Sequence, residues 1–377
     1  MIQKIKENKA LSVLVAASVL ITVLFAVMLV GSVGNPGTSA QVAAAEVGIM
    51  DKYDMFVTNT ISDSLDGILA IEKVYWLNDD DLVAPEPDQS CYGESQDPKE
   101  LQWLLDEAAS LIGDDEMYFD PETTVLAPGT KIIYYLDETI FAITWKEGHD
   151  LSTYCFSEVF IAHPSQFRRF LAGGEYGSEK QFITTEMAAS VNAVVASSGD
   201  FYRFRNYGTI VYDGKVQRIR SENIDTCYID DKGDLIFNYA GDITDIEVAQ
   251  QFVDENNIRF SVAFGPILVD NYERVEPYEY YLGEIKDEYP RSALCQMGEL
   301  HYLLATANGD GYYQRTPDIH VFAKNIHATG CEKAYTLDGG QTAVIAMNDQ
   351  LINAVLFGFQ RKISDIIYFA TAVPDGG

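Results

Sequence analysis

The stretch Ala334-Tyr-Thr-Leu-Asp-Gly-Gly-Gln-Thr342 is the point around which this chain is organised. A short apolar run ends there in an acid, two glycines and two polar residues. Glycine tolerates positive φ and leaves the backbone N–H uncovered, so Gly339 and Gly340 would let a ligand approach the main chain beside Asp338. The same letters also suit a hairpin turn capped by an aspartate. The stretch alone leaves both interpretations open.

A second apolar run ends in a similar way. Residues 193–196 are followed by Ser197-Ser-Gly-Asp-Phe-Tyr202, and Arg291 opens a further strand between the two acidic turns. Two carboxylates can divide acid and base or nucleophile work at a glycosidic centre, and an arginine fork binds phosphate through two hydrogen bonds. Asp200 and Arg291 also fit purely structural roles, Asp200 as a turn cap and Arg291 as a surface ion-pair partner.

Charge and missing motifs exclude several classes of function. The formal net charge of -31 opposes binding to nucleic acid, which requires a basic surface, so any phosphate must be recognised by a few locally placed cations. The sequence contains no G-x-S-x-G, G-x-x-x-x-G-K-[ST] or H-E-x-x-H motif. The histidines and the five cysteines show no metal-ligand spacing, so we expect no metal site and no cofactor. A calcium-dependent pocket of acids and glycines stays open as an alternative.

The N-terminal segment predicts a membrane anchor. Lys4, Lys6 and Lys9 precede an uncharged run from 10 to 30, which is long enough to cross a bilayer as a helix. Lysines before the run predict a cytoplasmic N-terminus with the remaining chain outside the cell. A signal peptide cleaved among the small residues at 40–45 is the competing interpretation. The expected bilayer contact is therefore through residues 10–30.

Composition divides the chain into three predicted parts. Residues 1–45 are the anchor and a tether, and 46–126 form an acidic extension that contains an amphipathic helix over Pro98 to Ile112. From 127 to 377 the pattern is that of a folded domain. Its strand hairpins alternate with short helices, which predicts an α+β fold with a mixed, largely antiparallel sheet and flanking helices.

Several turns in the domain have specific signatures. Asp213-Gly214 predicts a tight hairpin, and Asp231-Lys-Gly-Asp234 repeats the pattern. Pro164 to Leu171 is predicted as a short helix. Thr244 is predicted to cap a helix that runs to about Asn256, and Thr316-Pro317 to begin one that ends at Gly330.

From about Ser157 to Pro374 the order of features resembles the phosphodiester glycosidase family. Each matching piece is loose, but seven of them occur in the family's order. They are Thr185-Glu-Met-Ala-Ala189, Ala193 to Tyr202, Ile210 to Val216, Ala263-Phe-Gly-Pro266, Pro290-Arg-Ser-Ala293, Leu337-Asp-Gly-Gly-Gln-Thr342 and Arg361-Lys-Ile-Ser-Asp365. The residues before about Ala127 lie outside the resemblance.

The resemblance implies a hydrolase that cleaves the bond between a sugar's anomeric carbon and a phosphodiester. It makes Asp200 and Asp338 the acidic catalytic candidates and Arg291 a phosphate or sugar contact. The implied substrate pocket is formed by Ser198, Gly199, Gly339, Gly340, Gln341 and Thr342, and Tyr202 is a candidate for stacking on a sugar. The chain departs from the family's usual residues at Ser197, Ser198 and Gln341.

We therefore expect a membrane-anchored extracellular hydrolase of sugar-1-phosphodiesters in cell-surface or exopolysaccharide glycans. The alternative is a non-catalytic glycan-binding or envelope-assembly protein that keeps the pocket.

Overall fold

The computed structural model describes residues 56–61, 69–78, 81–112, 116–276, 287–309 and 315–373. These residues belong to one compact unit, Phe56–Gly377. The predicted anchor at 10–30 and its tether lie outside the described residues. Within the described ranges, no helix is both long and apolar enough to cross a membrane.

The described part contains four α-helices, which are α1 (Pro98–Ile112), α2 (Thr184–Ser190), α3 (Ile246–Glu255) and α4 (Ile319–His327). The strands are β1 (Phe56–Ile61), β2 (Leu69–Tyr75), β3 (Tyr92–Ser95), β4 (Ile132–Leu136), β5 (Ile140–His149), β6 (Ser152–Ile161), β7 (Phe167–Leu171), β8 (Val195–Ser198), β9 (Ile210–Tyr212), β10 (Lys215–Arg218), β11 (Thr226–Ile229), β12 (Leu235–Asn238), β13 (Phe260–Val262), β14 (Ile267–Asp270), β15 (Glu273–Arg274), β16 (Arg291–Gly298), β17 (His301–Asn308), β18 (Lys333–Leu337), β19 (Ile345–Met347), β20 (Gln350–Leu351) and β21 (Asp365–Phe369).

The strands form four sheets. The largest has nine strands in the order β15-β14-β18-β16-β17-β6-β5-β4-β3, and two sheets of five have the orders β20-β19-β8-β21-β7 and β10-β9-β13-β11-β12. Strands β1 and β2 make a separate pair. Each pairing among the described strands is antiparallel, from the β5–β6 hairpin to the distant β7–β21 pair, which confirms the predicted α+β, largely antiparallel fold.

The nine-stranded sheet is covered on one face by helices. Leu101 and Leu104 of α1, with Phe322 of α4, share a buried cluster with Ala293 and Cys295 of β16. Amphipathic helices bury one apolar stripe in this way. The helix predicted over Pro98 to Ile112 is therefore confirmed.

The opposite face of the same sheet packs against both five-stranded sheets. Leu294 of β16 and Leu337 of β18 point to this side and meet Val195, Ile367 and Val262 in a second buried cluster. Alternation along a strand places successive side chains on opposite faces. The end of β18 thus lies where all three sheets meet.

The local turn predictions are largely confirmed. Asp213 and Gly214 both have positive φ, 52° and 65°, and join β9 to β10 as the Asp-Gly signature requires. Strands β11 and β12 form the second predicted hairpin.

Three predictions are corrected. Only Pro164–Gln166 is helical, as a single 3₁₀ turn, and Phe167–Leu171 is strand β7 because it pairs with β21 along its whole length. Helix α3 is capped by Asp245, whose carboxylate accepts from two backbone N–H groups, instead of by Thr244. Helix α4 begins after Asp318, which caps the N–H of Val321, instead of after Thr316.

Candidate active site

The two acidic turns that the sequence singles out lie side by side. The N–H of Asp338 donates to the carbonyl of Gly199 at 3.0 Å, and the hydroxyl of Ser198 donates to the carbonyl of Asp338 at 3.1 Å. The N–H of Gly340 donates to the carbonyl of Pro290 at 2.8 Å. The ends of β8 and β18 and the start of β16 therefore converge at one place.

Asp338 presents a buried carboxyl group at this junction. The residue is only 5% exposed, and its Oδ2 lies 2.7 Å from Nη2 of Arg361. Burial raises the pKa of Asp338 to about 6, and the Arg361 charge, a hydrogen bond from Thr342 and the Arg205 charge oppose that rise. Desolvation disfavours the ionised carboxylate, and here its effect on the pKa outweighs the opposite effect of the nearby cations. Asp338 consequently titrates near neutral pH.

Two arginines and an aromatic ring stand next to Asp338. The guanidinium of Arg361 lies 4.6 Å from the ring centre of Phe201, and that of Arg205 lies 5.9 Å from the same ring. Arg205 also lies over Phe264 at 4.3 Å. Stacking on aromatic faces fixes the planes of both guanidinium groups. One cation thus contacts the carboxylate and a second lies near it, an arrangement suited to an anionic substrate.

Asp200 has a different environment from Asp338. Its Oδ2 lies 3.1 Å from Nη2 of Arg169, which also binds Asp365 at 2.9 Å, and all three side chains are fully buried. Asp200 accepts two further hydrogen bonds, from the N–H groups of Tyr202 at 2.7 Å and Ala263 at 2.9 Å. These contacts tie the turn after β8 to the strands around it. The arrangement gives Asp200 a positioning role for that turn.

The buried trio of Arg169, Asp200 and Asp365 contains two acids and one cation. Burial raises the pKa of Asp365 to about 8, and the nearby charge of Asp200 adds to the increase that Arg169 opposes. Gly199 is required here, because a Cβ at that position would lie 1.9 Å from Oδ2 of Asp365. The Ser-Gly-Asp sequence of this turn therefore reflects close packing onto Asp365.

Arg291 lies beside the turn through its backbone but directs its side chain elsewhere. Its Nη2 donates to the carbonyl of Asp287 at 2.5 Å, and burial lowers its pKa to about 10 while Asp318 and Asp287 oppose the decrease. The Asp338 carboxyl instead has Arg361 and Arg205 as its neighbouring cations. The structure therefore brings together the main chain of all three motifs, but not the side chains of Arg291 and Asp338.

The remaining predicted pocket residues are divided between the turn and the interior. Gly339 packs against Pro290, where a Cβ would lie 2.5 Å from its carbonyl oxygen, whereas Gly340 has positive φ and open space around it. Thr342 closes the turn by donating to the carbonyl of Gly339 at 2.6 Å. Gln341 is half-buried, and its carbonyl accepts from the N–H of Arg361. Tyr202 is buried against Arg169.

Sequence reasoning missed Arg361 and Arg205 as site residues. Arg361 stands in the last of the seven motif pieces, Arg361-Lys-Ile-Ser-Asp365, which also contains Asp365. The presence of Arg361 and Asp365 in one motif piece is a signal that could have identified these two residues. Arg205 follows the Gly-Asp turn by five residues and carries no local signature.

A separate cavity of about 590 Å³ is lined by Arg168, Arg169, Tyr212, Arg259 and Tyr368 among others. Neither Asp338 nor Arg361 contributes to its wall. We place the candidate site at Asp338, because the acidic turns and the raised carboxyl pKa occur there. In the described ranges, no group of three or more histidine, cysteine or acidic side chains is arranged to hold a metal ion.

Comparison with known proteins bears on the segment that contains this site. Residues 191–370 match the family model described as phosphodiester glycosidase, which confirms the resemblance found in the sequence. The matched segment includes Asp200, Arg205, Arg291, Asp338 and Arg361. No curated protein matches the chain.

Three solved structures are similar to the chain at low identity. The catalytic domain of zebrafish N-acetylglucosamine-1-phosphodiester α-N-acetylglucosaminidase, auto-inhibited by its pro-peptide, is 19% identical, with a TM-score of 0.48 over 61% of this chain and 82% of that one. A hypothetical protein from Synechocystis is 13% identical, with a TM-score of 0.46 over 64% of each chain. A protein from Burkholderia pseudomallei K96243 is 11% identical, with a TM-score of 0.41 over 58% of this chain and 74% of that one.

Proposed function

We propose that this protein hydrolyses the bond between a sugar's anomeric carbon and a phosphodiester oxygen. Residues 191–370 of the chain match the phosphodiester glycosidase family, which supports this proposal. The observation that carries the proposal is the environment of Asp338. Its carboxyl is buried, has a pKa near 6 and lies beside two arginines at the end of β18. A glycosidase needs a carboxyl group that can act at the anomeric carbon, and binding of a phosphodiester substrate needs neighbouring cations.

The arginines are suited to hold the phosphate. Arg361 is partly exposed, and Arg205 is close enough to influence the Asp338 carboxyl. In a protein of net charge -31, an anionic substrate is repelled at long range, so its binding depends on cations placed at the site. Hydrogen bonds from guanidinium groups would also stabilise the negative charge that develops on the departing phosphate.

Asp338 would act at the anomeric carbon as an ionised carboxylate. Near pH 7 a carboxyl with a pKa of about 6 is mostly ionised. The C–O bond to the phosphate breaks with its electron pair going to the phosphate oxygen, and water adds to the anomeric carbon. The proton lost by that water passes to Asp338. The carboxylate also stabilises the oxocarbenium-like transition state.

We place the reaction at the cell surface. Residues 10–30 would hold the protein in the membrane, with its folded part outside the cell where surface glycans and exopolysaccharides are found. A teichoic-acid-like polymer or a capsule linkage offers phosphodiester bonds of the proposed kind. Fractionation and protease accessibility of intact cells would test this location.

The activity is tested by incubating the purified full-length protein with sugar-1-phosphodiesters and measuring free sugar and the phosphomonoester product. We expect equal amounts of both products from the wild type and loss of both in Asp338→Asn. If wild type and variant show the same background rate, the enzymatic proposal is wrong. Saturable glycan binding with no turnover in either protein would instead support the alternative of a glycan-binding or assembly protein.

A further inference from the structure

Two exposed phenylalanines stand in the loop that leads into the candidate site. Residues 354–360, which we call the aromatic loop, contain Phe357, which is 76% exposed, and Phe359, which is 62% exposed. Arg361, the partner of Asp338, follows the loop directly. Single exposed apolar residues are common, but two large rings within one short segment beside a buried carboxyl form a local apolar surface.

Hydrogen bonds hold both ends of the aromatic loop. Before it, Asn353 accepts from the N–H of Ile345 and donates to the carbonyl of Ala343, both at 2.7 Å. At its end, Gln360 donates to the hydroxyl of Thr185 at 3.1 Å and accepts from the same residue's N–H at 3.3 Å. The two rings therefore project from a loop whose ends are fixed, which lowers the entropy cost of binding a ligand.

The aromatic loop also contacts the turn that carries the candidate site. The 3₁₀ turn Leu356–Gly358 lies against the 3₁₀ turn Gly340–Thr342. The N–H of Arg361 donates to the carbonyl of Gln341 at 3.4 Å, and its side chain reaches Asp338. The aromatic loop is thus continuous along the chain with Arg361 and lies against the turn that carries Asp338.

The side chain of Phe357 is exposed, and its backbone conformation is also energetically costly. Its φ of 64° and ψ of 7° lie in the left-handed region, which glycine and asparagine adopt readily and bulky side chains rarely do. Strained residues of this kind cluster at active sites, ligand clamps and switch regions. Burial offers no compensation here, because most of the ring is in contact with solvent. A contact with a bound molecule would provide one.

We propose that the aromatic loop binds sugar rings of the glycan that carries the phosphodiester, so that the substrate is an extended carbohydrate chain. This inference rests on the proposed function. The faces of phenyl rings carry partial negative charge and attract the C–H groups on the apolar face of a sugar. Continuity with Asp338 and Arg361 favours a substrate over a separate partner. The net charge of -31 opposes the competing occupant, an anionic lipid surface.

The test compares two substrates with the same scissile bond. Hexose and N-acetylhexosamine 1-phosphates are esterified either to methanol or to cellopentaose, and kcat/KM is measured for the full-length protein. In the double variant Phe357→Ser and Phe359→Ser, we expect the ratio of kcat/KM for the long substrate to that for the short one to fall about tenfold. An unchanged ratio would contradict the proposal. Tyr272→Ser, at an exposed ring outside the loop, is the matched control.

A second measurement keeps this inference separate from the proposed activity. Binding of cellopentaose and N-acetylchitopentaose, which lack phosphate, is measured by calorimetry with Asp338→Asn as the background. We expect at least one oligosaccharide to bind, and its affinity to fall about tenfold when both phenylalanines are replaced. Absence of binding to both oligosaccharides would overturn the inference. So would binding to phosphatidylglycerol vesicles that depends on the two rings while oligosaccharide binding does not.

Discussion

The carboxylate of Asp338 lies 2.7 Å from the guanidinium of Arg361, and this contact joins the end of β18 to the segment that leads into β21. It places a carboxyl with a pKa near 6 against a partly exposed cation at the junction of three sheets. Arg205 adds a second cation to the same space. The proposed chemistry depends on this grouping and not on the more deeply buried Asp200.

Replacing Arg361 should impair the reaction more than it impairs folding. In Arg361→Gln we expect kcat/KM for a sugar-1-phosphodiester to fall about 10²- to 10³-fold, because a donor to the departing phosphate is lost. Arg361→Lys should recover only part of the activity, since lysine keeps the charge but not the planar fork. Steady-state kinetics measure the activity of both variants, and thermal unfolding checks that they are folded. Wild-type kinetics in Arg361→Gln would remove Arg361 from the mechanism.

The pH dependence of the reaction should report the ionisation of Asp338. Because the ionised form is the active one, kcat/KM should rise with pH through a midpoint near 6 and fall tenfold for each unit below it. Arg361 lowers the pKa of Asp338, so Arg361→Gln should move this midpoint to higher pH. A pH–rate profile of each protein measures the shift. A midpoint that stays in place would show that another group is being titrated.

The buried trio should make stability depend on pH in a defined direction. Asp365 keeps its proton up to about pH 8 in the folded protein, whereas its ordinary value is 3.8. The unfolded chain therefore binds fewer protons between these values, and stability falls as pH rises through the window, by up to about 1.4 kcal/mol per unit. Asp365→Asn should flatten this dependence, as measured by denaturant unfolding from pH 5 to 8. An equally steep fall in the variant would contradict the assignment.

Removing the cation of the trio should be far more damaging. Arg169 contacts both Asp200 and Asp365 and also donates to the carbonyl of Ser261. Arg169→Met would leave two acids buried without it, and we expect a loss of about 3–5 kcal/mol in the free energy of unfolding. A loss below about 1 kcal/mol would mean that the trio is not structurally important.

The two glycines of the acidic turn should respond differently to alanine. In Gly339→Ala the new Cβ would meet the carbonyl oxygen of Pro290 at 2.5 Å, so the turn must shift and activity should fall about 10²-fold or more. Gly340→Ala meets no atom within 4 Å and carries only the cost of a positive φ, about 1 kcal/mol. Comparing kcat/KM and unfolding of the two variants tests this order. Equal activity loss would contradict it.

Local chemistry explains which parts of the fold could be predicted from sequence. The Asp213-Gly214 hairpin follows from turn residues alone, and the helix at Pro98–Ile112 follows from apolar periodicity. The local sequence predicts a helix over Pro164 to Leu171, where the structure has strand β7. Its strand conformation depends on pairing with β21, which lies almost 200 residues further on and has no trace in the local sequence.

The same distinction applies to the site. Asp338, Gly339 and Gly340 could be identified because acid and glycines stand together in one turn. Arg291 is a phosphate or sugar contact only as the family resemblance implies it, and its side-chain direction depends on which face of β16 it occupies. Arg361 contacts Asp338, and Arg205 lies near it, only after the sheets have assembled. The division of the chain at 46–126 and 127–377 stays a prediction, although β3 pairs with β4 in the nine-stranded sheet.

The most direct test of the account is hydrolysis of a sugar-1-phosphodiester by the full-length protein in H₂¹⁸O, with both products analysed by mass spectrometry. Attack at the anomeric carbon predicts ¹⁸O in the released sugar and none in the phosphomonoester, with turnover lost in Asp338→Asn. Label in the phosphomonoester would mean cleavage at phosphorus and would contradict the central claim, as would unchanged turnover in Asp338→Asn.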